Sequence, residues 1–256
     1  MKYILLIAGF LILMQSGHAQ SGYAYKNNKL KRLCFSFTPG IGFPMQDFAK
    51  KSYIPPSDSS HAVGYANPGF HFEVGVSYLF TNYIGIALQL GGTVCSFNST
   101  AYASAYNVPD TFSVSPDGSH YVAQYLIGPF VSIPVTNTFS CEIKLLGGLV
   151  SSIYPQITVA PTNPSPYYQT FQYAHAQNMG YSLSVGGKLK VQENASIVAN
   201  ISYTTSDIVY SGAIFQLETP AVIPGAIPGS YTGFSNFNRS MQLGILSISV
   251  GVALCF

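Results

Sequence analysis

The chain has 256 residues, only 8% of them charged, and a net charge of +2, against roughly 25% charged residues in a soluble globular domain. So little charge argues against a wet, patch-free soluble surface, and so small a positive excess excludes a nucleic-acid partner. No internal run reaches the ~18 apolar residues of a membrane helix. Low charge without spanning helices leaves few classes, a membrane β-barrel among them.

The N-terminus reads as an export signal. Lys2 precedes an apolar stretch from Tyr3 to Met14, then "QSGHAQ" with small Gly17 and Ala19. That pattern predicts a signal peptide over 1–19, cleaved between Ala19 and Gln20. No Cys follows the small residues, so no lipid anchor is expected. Residues 20–32 carry Lys26, Lys29, Lys31 and Arg32 and read as a solvated periplasmic tail.

From residue 33 the chain alternates with a period of two, the mark of β-strands. Eight segments are predicted, over 33–43, 68–80, 83–97, 120–134, 138–153, 178–192, 195–209 and 241–256. No segment shows sustained helical periodicity. Short connections, "FTNY", "VTNT" and "QENA", alternate strictly with long ones over 44–67, 98–119, 154–177 and 210–240. The long ones are rich in Pro, Ser, Tyr, Asn and Gly. An up-and-down antiparallel sheet with short turns at one end and long loops at the other has this layout. The fold class is therefore all-β, an eight-stranded antiparallel transmembrane β-barrel over 33–256 with four long outer loops.

The two faces of each segment agree with this. In "YIGIALQLGG" Ile84, Ile86, Leu88 and Leu90 share one face and Gln89 lies on the other with Thr93. Phe70, Phe72, Val74, Val76 and Tyr78 oppose His71 and Glu73. Ile143, Leu145 and Leu149 oppose Glu142 and Lys144. Leu183, Val185 and Leu189 oppose Lys188 and Lys190. A charge facing lipid at mid-depth costs about 2–4 kcal/mol, so the aliphatic face is assigned to lipid. A soluble barrel would invert the sides, but its outside would need many charges. The inward face reads as small and polar, with His71, Glu73, Gln89, Glu142, Lys144, Lys188 and Lys190 as a lumenal polar network. Tyr78, Phe80, Tyr83, Phe97, Tyr121, Tyr125, Tyr203 and Tyr210 crowd strand ends and read as interfacial girdles.

The last segment, "SMQLGILSISVGVALCF", alternates through Leu246, Ile248, Val250, Val252 and Leu254 to a terminal Phe256. With this ending the chain resembles the small eight-stranded outer-membrane barrels of Gram-negative bacteria, the OmpX-like and OmpA-transmembrane-like group. The resemblance implies a monomer among outer-membrane lipids, with Phe256 as the assembly signal read by the barrel-assembly machinery. It fixes architecture rather than activity.

Cys34, Cys95, Cys141 and Cys255 are far apart and form no metal-ligand spacing, and no cofactor motif is present. Cys34 and Cys255 fall at the periplasmic ends of the first and last strands, which are neighbours in a closed barrel. Both point inward, so either a disulfide or two inward thiols fits. Cys95 is expected to be free near the opposite rim, and Cys141 to face lipid. His61 and His175 read as solvated loop residues, and His120, beside Ser119, as a residue of the outer rim. No catalytic set emerges. The expected function is a non-enzymatic scaffold for surface-exposed interaction or adhesion loops that meet an extracellular ligand. A narrow pore for small solutes or ions is the alternative, and a lipid A-modifying enzyme, which the resemblance raises, the more remote one.

Overall fold

The computed structural model describes residues 32–53, 61–162, 168–171, 174–218 and 236–256. The segment read as a signal peptide, and all of the expected tail but Arg32, lie outside the described residues. The described residues form eleven strands: β1 (Leu33–Met45), β2 (Gly69–Leu79), β3 (Ile84–Cys95), β4 (Phe112–Asp117), β5 (His120–Pro134), β6 (Phe139–Tyr154), β7 (Gln156–Pro161), β8 (Tyr168–Phe171), β9 (Ala174–Lys190), β10 (Ala195–Glu218) and β11 (Asn236–Cys255). Eight of them pair in the order β1-β2-β3-β5-β6-β9-β10-β11, and β11 returns to β1. Every pairing is antiparallel, so the sheet is a closed up-and-down barrel.

The short turns are built from local chemistry. The Thr81 hydroxyl accepts from the backbone N–H groups of Tyr83 and Ile84. Thr136 repeats this with Thr138 and Phe139. Such hydroxyl-to-backbone bonds stabilise tight turns and set the β2–β3 and β5–β6 registers.

The wall is apolar outside. Ile41, Phe70, Leu88, Leu145, Leu183, Ile201 and Val250 are each between 42% and 56% exposed, one on each of seven strands. Ile127 on β5 completes the ring at 52%. A protein in water would bury such a belt; a barrel in hydrocarbon leaves it facing outward. At the closing seam β1 and β11 approach so closely that a Cβ on Gly251 would lie 1.9 Å from the Phe37 carbonyl oxygen. Only glycine fits there.

Three features differ from the sequence expectation. The strands β9, β10 and β11 run past their predicted outer ends. The outer end of β10 pairs with β8, β8 with β7 and β7 with β4, giving a second sheet beyond the barrel. Two short helices, α1 (Gln46–Ala49) and α2 (Ser99–Ala105), lie in segments read as irregular. The Asn98 side chain caps α2 by accepting from the Ala101 N–H at 2.8 Å. Helices this short show no 3.6-residue period, and four- to six-residue strands with Pro116 or Pro161 show little alternation.

Candidate functional site

Two regions bring polar and aromatic side chains together: the lumen and the outer mouth above it.

In the lumen, β2 places His71 and Glu73 on the inward face, both almost fully buried. His71 Nε2 lies 3.0 Å from Glu73 Oε1, and Nδ1 lies 2.7 Å from Thr93 Oγ1. The Ser202 hydroxyl donates to Glu73 at 3.0 Å and contacts Ser247 Oγ, and Thr38 reaches the same carboxylate at 3.5 Å. Five strands thus converge on one buried carboxylate, as a charge out of water requires.

The seven residues expected to form one network are divided. His71 and Glu73 form its centre. Glu142 pairs with Lys144 at 3.3 Å. Gln89 is buried, with its amide nitrogen unpaired among the described residues. Lys188 turns to the periplasmic end, and Lys190 is exposed there. The sequence reading does not include the hydroxyls around this carboxylate: Thr38 and Ser202 bond Glu73, Thr93 bonds His71, and Ser247 bonds Ser202. Parity marks them as inward, but their convergence depends on strand stagger.

The lumen is also less polar than expected. Leu126, Leu146, Val150, Ile208, Met241, Leu243 and Ile245 are buried inside it and pack with Phe48 from α1. They fill the barrel from mid-height to the outer mouth. Their inward parity was readable in the sequence; the small and charged residues of the same strands drew the reading instead.

Above this layer the outer mouth is closed. Phe48 is fully buried against the edge of the His120 ring at 5.1 Å, and His120 meets Tyr154 at 4.9 Å. His120 Nε2 donates to the Gly64 carbonyl at 2.7 Å. His120, placed at the outer rim by the sequence, is therefore buried inside the mouth. Residues 61–67 fold back over α1, with the N–H groups of Gly64, Tyr65 and Ala66 donating to the carbonyls of Asp47, Lys50 and Phe48. A second cluster of Val63, Tyr65, Phe97, Tyr102, Ile157 and Val159 sits on top. Phe97 and Tyr210, read as girdle residues, are buried, and Tyr210 shares a 2.8 Å hydrogen bond with Ser152. Tyr78, Phe80, Tyr83, Tyr121 and Tyr125 are exposed on the wall as a girdle requires.

Burial pushes up the hydroxyl pKa values of Tyr65 and Tyr102, with neighbouring Tyr106 adding to both. Both stay neutral, and Tyr65 donates to the Ser52 carbonyl at 2.6 Å. Asp47 behaves oppositely. Burial raises its pKa, but the Lys50 ammonium and the Gln242 N–H outweigh this and hold it below the usual carboxylate value. A depressed carboxylate pKa stabilises the fold above its unfolded value, and that stability is lost as pH falls through the folded one. Docking of α1 on β11 is thus expected to loosen below about pH 4. In hydrogen-exchange NMR the protection factor of the Gln242 amide, its rate corrected for the intrinsic pH dependence, should then fall. Asp47→Ala should give the same loss at neutral pH; unchanged protection in both tests would reject the anchor.

The remaining two described histidines are exposed, as expected. His61 forms a parallel backbone bridge with Ser240. His175 lies in β9, not in a loop, with Nε2 2.9 Å from Ser151 Oγ on the exposed face.

At the periplasmic end Cys34 stands opposite Cys255, and the two form a disulfide. Leu33 and Phe256 exchange both backbone hydrogen bonds one position further out. Cys34 and Cys255 are thus a non-hydrogen-bonded pair, where side chains approach most closely. Cys95 is free and buried, and Cys141 is free and half-buried at an outward-parity position.

No protein-family profile matches the chain. No curated protein matches it either. Among solved structures, the attachment invasion locus protein Ail of Yersinia pestis aligns at 11% identity over 88% of this chain and 99% of its own, with a TM-score of 0.41. Neisserial surface protein A aligns at 10% identity over 88% and 97%, with a TM-score of 0.43. OprG of Pseudomonas aeruginosa aligns at 12% over 88% and 97%, with a TM-score of 0.44. Likeness this distant says nothing about activity. On its own strand count, closure and outward apolar belt, the chain is an eight-stranded antiparallel transmembrane β-barrel of the outer-membrane type.

Proposed function

We propose that the protein is a monomeric, non-enzymatic outer-membrane scaffold that presents its outer sheet and loops to an extracellular ligand or surface. The observation that carries this reading is the closed mouth. The outer half of the lumen is packed with aliphatic side chains and capped by Phe48 and His120, both fully buried. A path for ions or solutes would cross that layer, so the reading is favoured over a narrow pore. Among the described residues, the β4-β7-β8-β10 sheet lies beyond the barrel, with the Tyr65–Phe97–Tyr102 cluster beside it. Edge strand β4 and exposed Phe112 give it contact surface. Cleaved export and delivery by the barrel-assembly machinery through Phe256 belong to the same reading.

The test replaces residues 155–173, which carry β7 and β8, by a short turn. Barrel folding should persist, seen as a heat-modifiable band shift in gel electrophoresis. Adherence of cells displaying the shortened chain to epithelial layers should fall to the level of cells lacking the protein. Undiminished adherence would count against the outer sheet, and ion current in planar bilayers would revive the pore.

A further inference from the structure

Lys188 is the one inward cation of the expected network whose ammonium is turned onto sulfur. Its Nζ lies 3.0 Å from Cys34 Sγ and 2.9 Å from Cys255 Sγ, half-buried in the periplasmic mouth. A disulfide sulfur is a weak acceptor, and a half-buried ammonium gains little from it. A thiolate at the same place would be a strong partner, because it carries a full opposite charge. The lysine therefore favours the reduced, ionised pair over the bonded one. Of the other charges near this end, Glu142 and Lys144 on β6 pair with each other and act on Lys188 with opposite signs, Lys190 on β9 is exposed, and Glu193 lies in the β9–β10 turn.

We infer that Lys188 makes the β1–β11 seam an exchange-competent thiol switch, closed and reopened by thiol–disulfide exchange with an external dithiol/disulfide couple. In closure, one cysteine thiolate attacks an external disulfide. This forms a mixed disulfide and expels one external thiolate. The second cysteine gives its proton to solvent and attacks the protein sulfur of that mixed disulfide. The Cys34–Cys255 bond forms and a second external thiolate leaves. Two electrons pass to the external disulfide, which ends as two thiols. Reopening is the reverse. The site lies one position inside the ends of β1 and β11, with Cys34 and Cys255 each 6% exposed. This inference goes beyond the scaffold reading and stands whether or not the outer loops bind anything.

The test uses the full-length folded barrel in detergent micelles, reduced and then exposed to oxidised glutathione, with peptide mapping of the 34–255 linkage over pH 5–9. In the unsubstituted protein, closure should reach its plateau below the pKa of about 8.5 of a free thiol. Lys188→Met should close roughly three- to tenfold more slowly at pH 7, with its pH profile moved up to that of a free thiol. Lys188→Arg should retain the original profile, which a merely structural role for the side chain would not predict. Iodoacetamide alkylation of the reduced, unsubstituted barrel reads thiol ionisation directly and needs no variant to fold. A titration at or above 8.5 there, or a Lys188→Met profile identical to that of the unsubstituted chain, would overturn the inference.

Discussion

His71→Ala is expected to destabilise the barrel by about 3–5 kcal/mol, the usual cost of leaving one member of a buried ion pair alone. Glu73 is 4% exposed, with the imidazole 3.0 Å away. Ser202 and Thr38 remain as partners, but hydroxyls do not neutralise a carboxylate. Thr93 Oγ1 loses its partner at the same time. Replacing both members, His71→Leu with Glu73→Leu, should recover much of the loss, because no charge is then left buried. The chain has no Trp, so unfolding in urea is best followed by far-UV circular dichroism in lipid vesicles. A single variant within about 1 kcal/mol of the parent, the scale of an ordinary hydrogen bond, would show that Glu73 does not depend on His71.

Leu88→Arg and Gln89→Arg should differ in kind although they are adjacent. Leu88 is 42% exposed on the belt and Gln89 is 5% exposed in the lumen. The first substitution puts a cation into hydrocarbon at mid-depth, costing about 2–4 kcal/mol. The second puts it inside, two positions from Gly91, which pairs with Glu73 across β2 and β3. Crowding there is offset by an opposite charge, so folding into vesicles should suffer much less. Equal damage by both would mean that the inward and outward faces of β3 are reversed.

What the sequence determined by itself was the barrel: its strand count, its closure into alternating long and short connections, and the face turned to lipid. The reason is that a spanning strand in hydrocarbon must expose an apolar residue at every second position over its whole length. Gln89 between Leu88 and Leu90, or Glu73 between Phe72 and Val74, then has only one place to go. Parity is a local property, and a local reading recovers it.

Register and stagger are not local, and they decided the rest. Nothing within β1 or β11 indicates that Cys34 meets Cys255 directly rather than two residues away. Nothing in β9 says that Lys188 bends to their sulfurs while Lys190 stays in water. Thr38 and Ser202 converge on Glu73, with Ser247 behind Ser202, only because strands far apart in the chain are sheared to one height. The outer mouth depends still more on tertiary contact. Phe48, Tyr65, Phe97 and Tyr102 come from short helices and loops with no periodicity to read. Their burial arises because the barrel's rim, a ring too wide to be closed by its own strands, offers an apolar floor of Leu243, Ile208 and Met241 for them to cover.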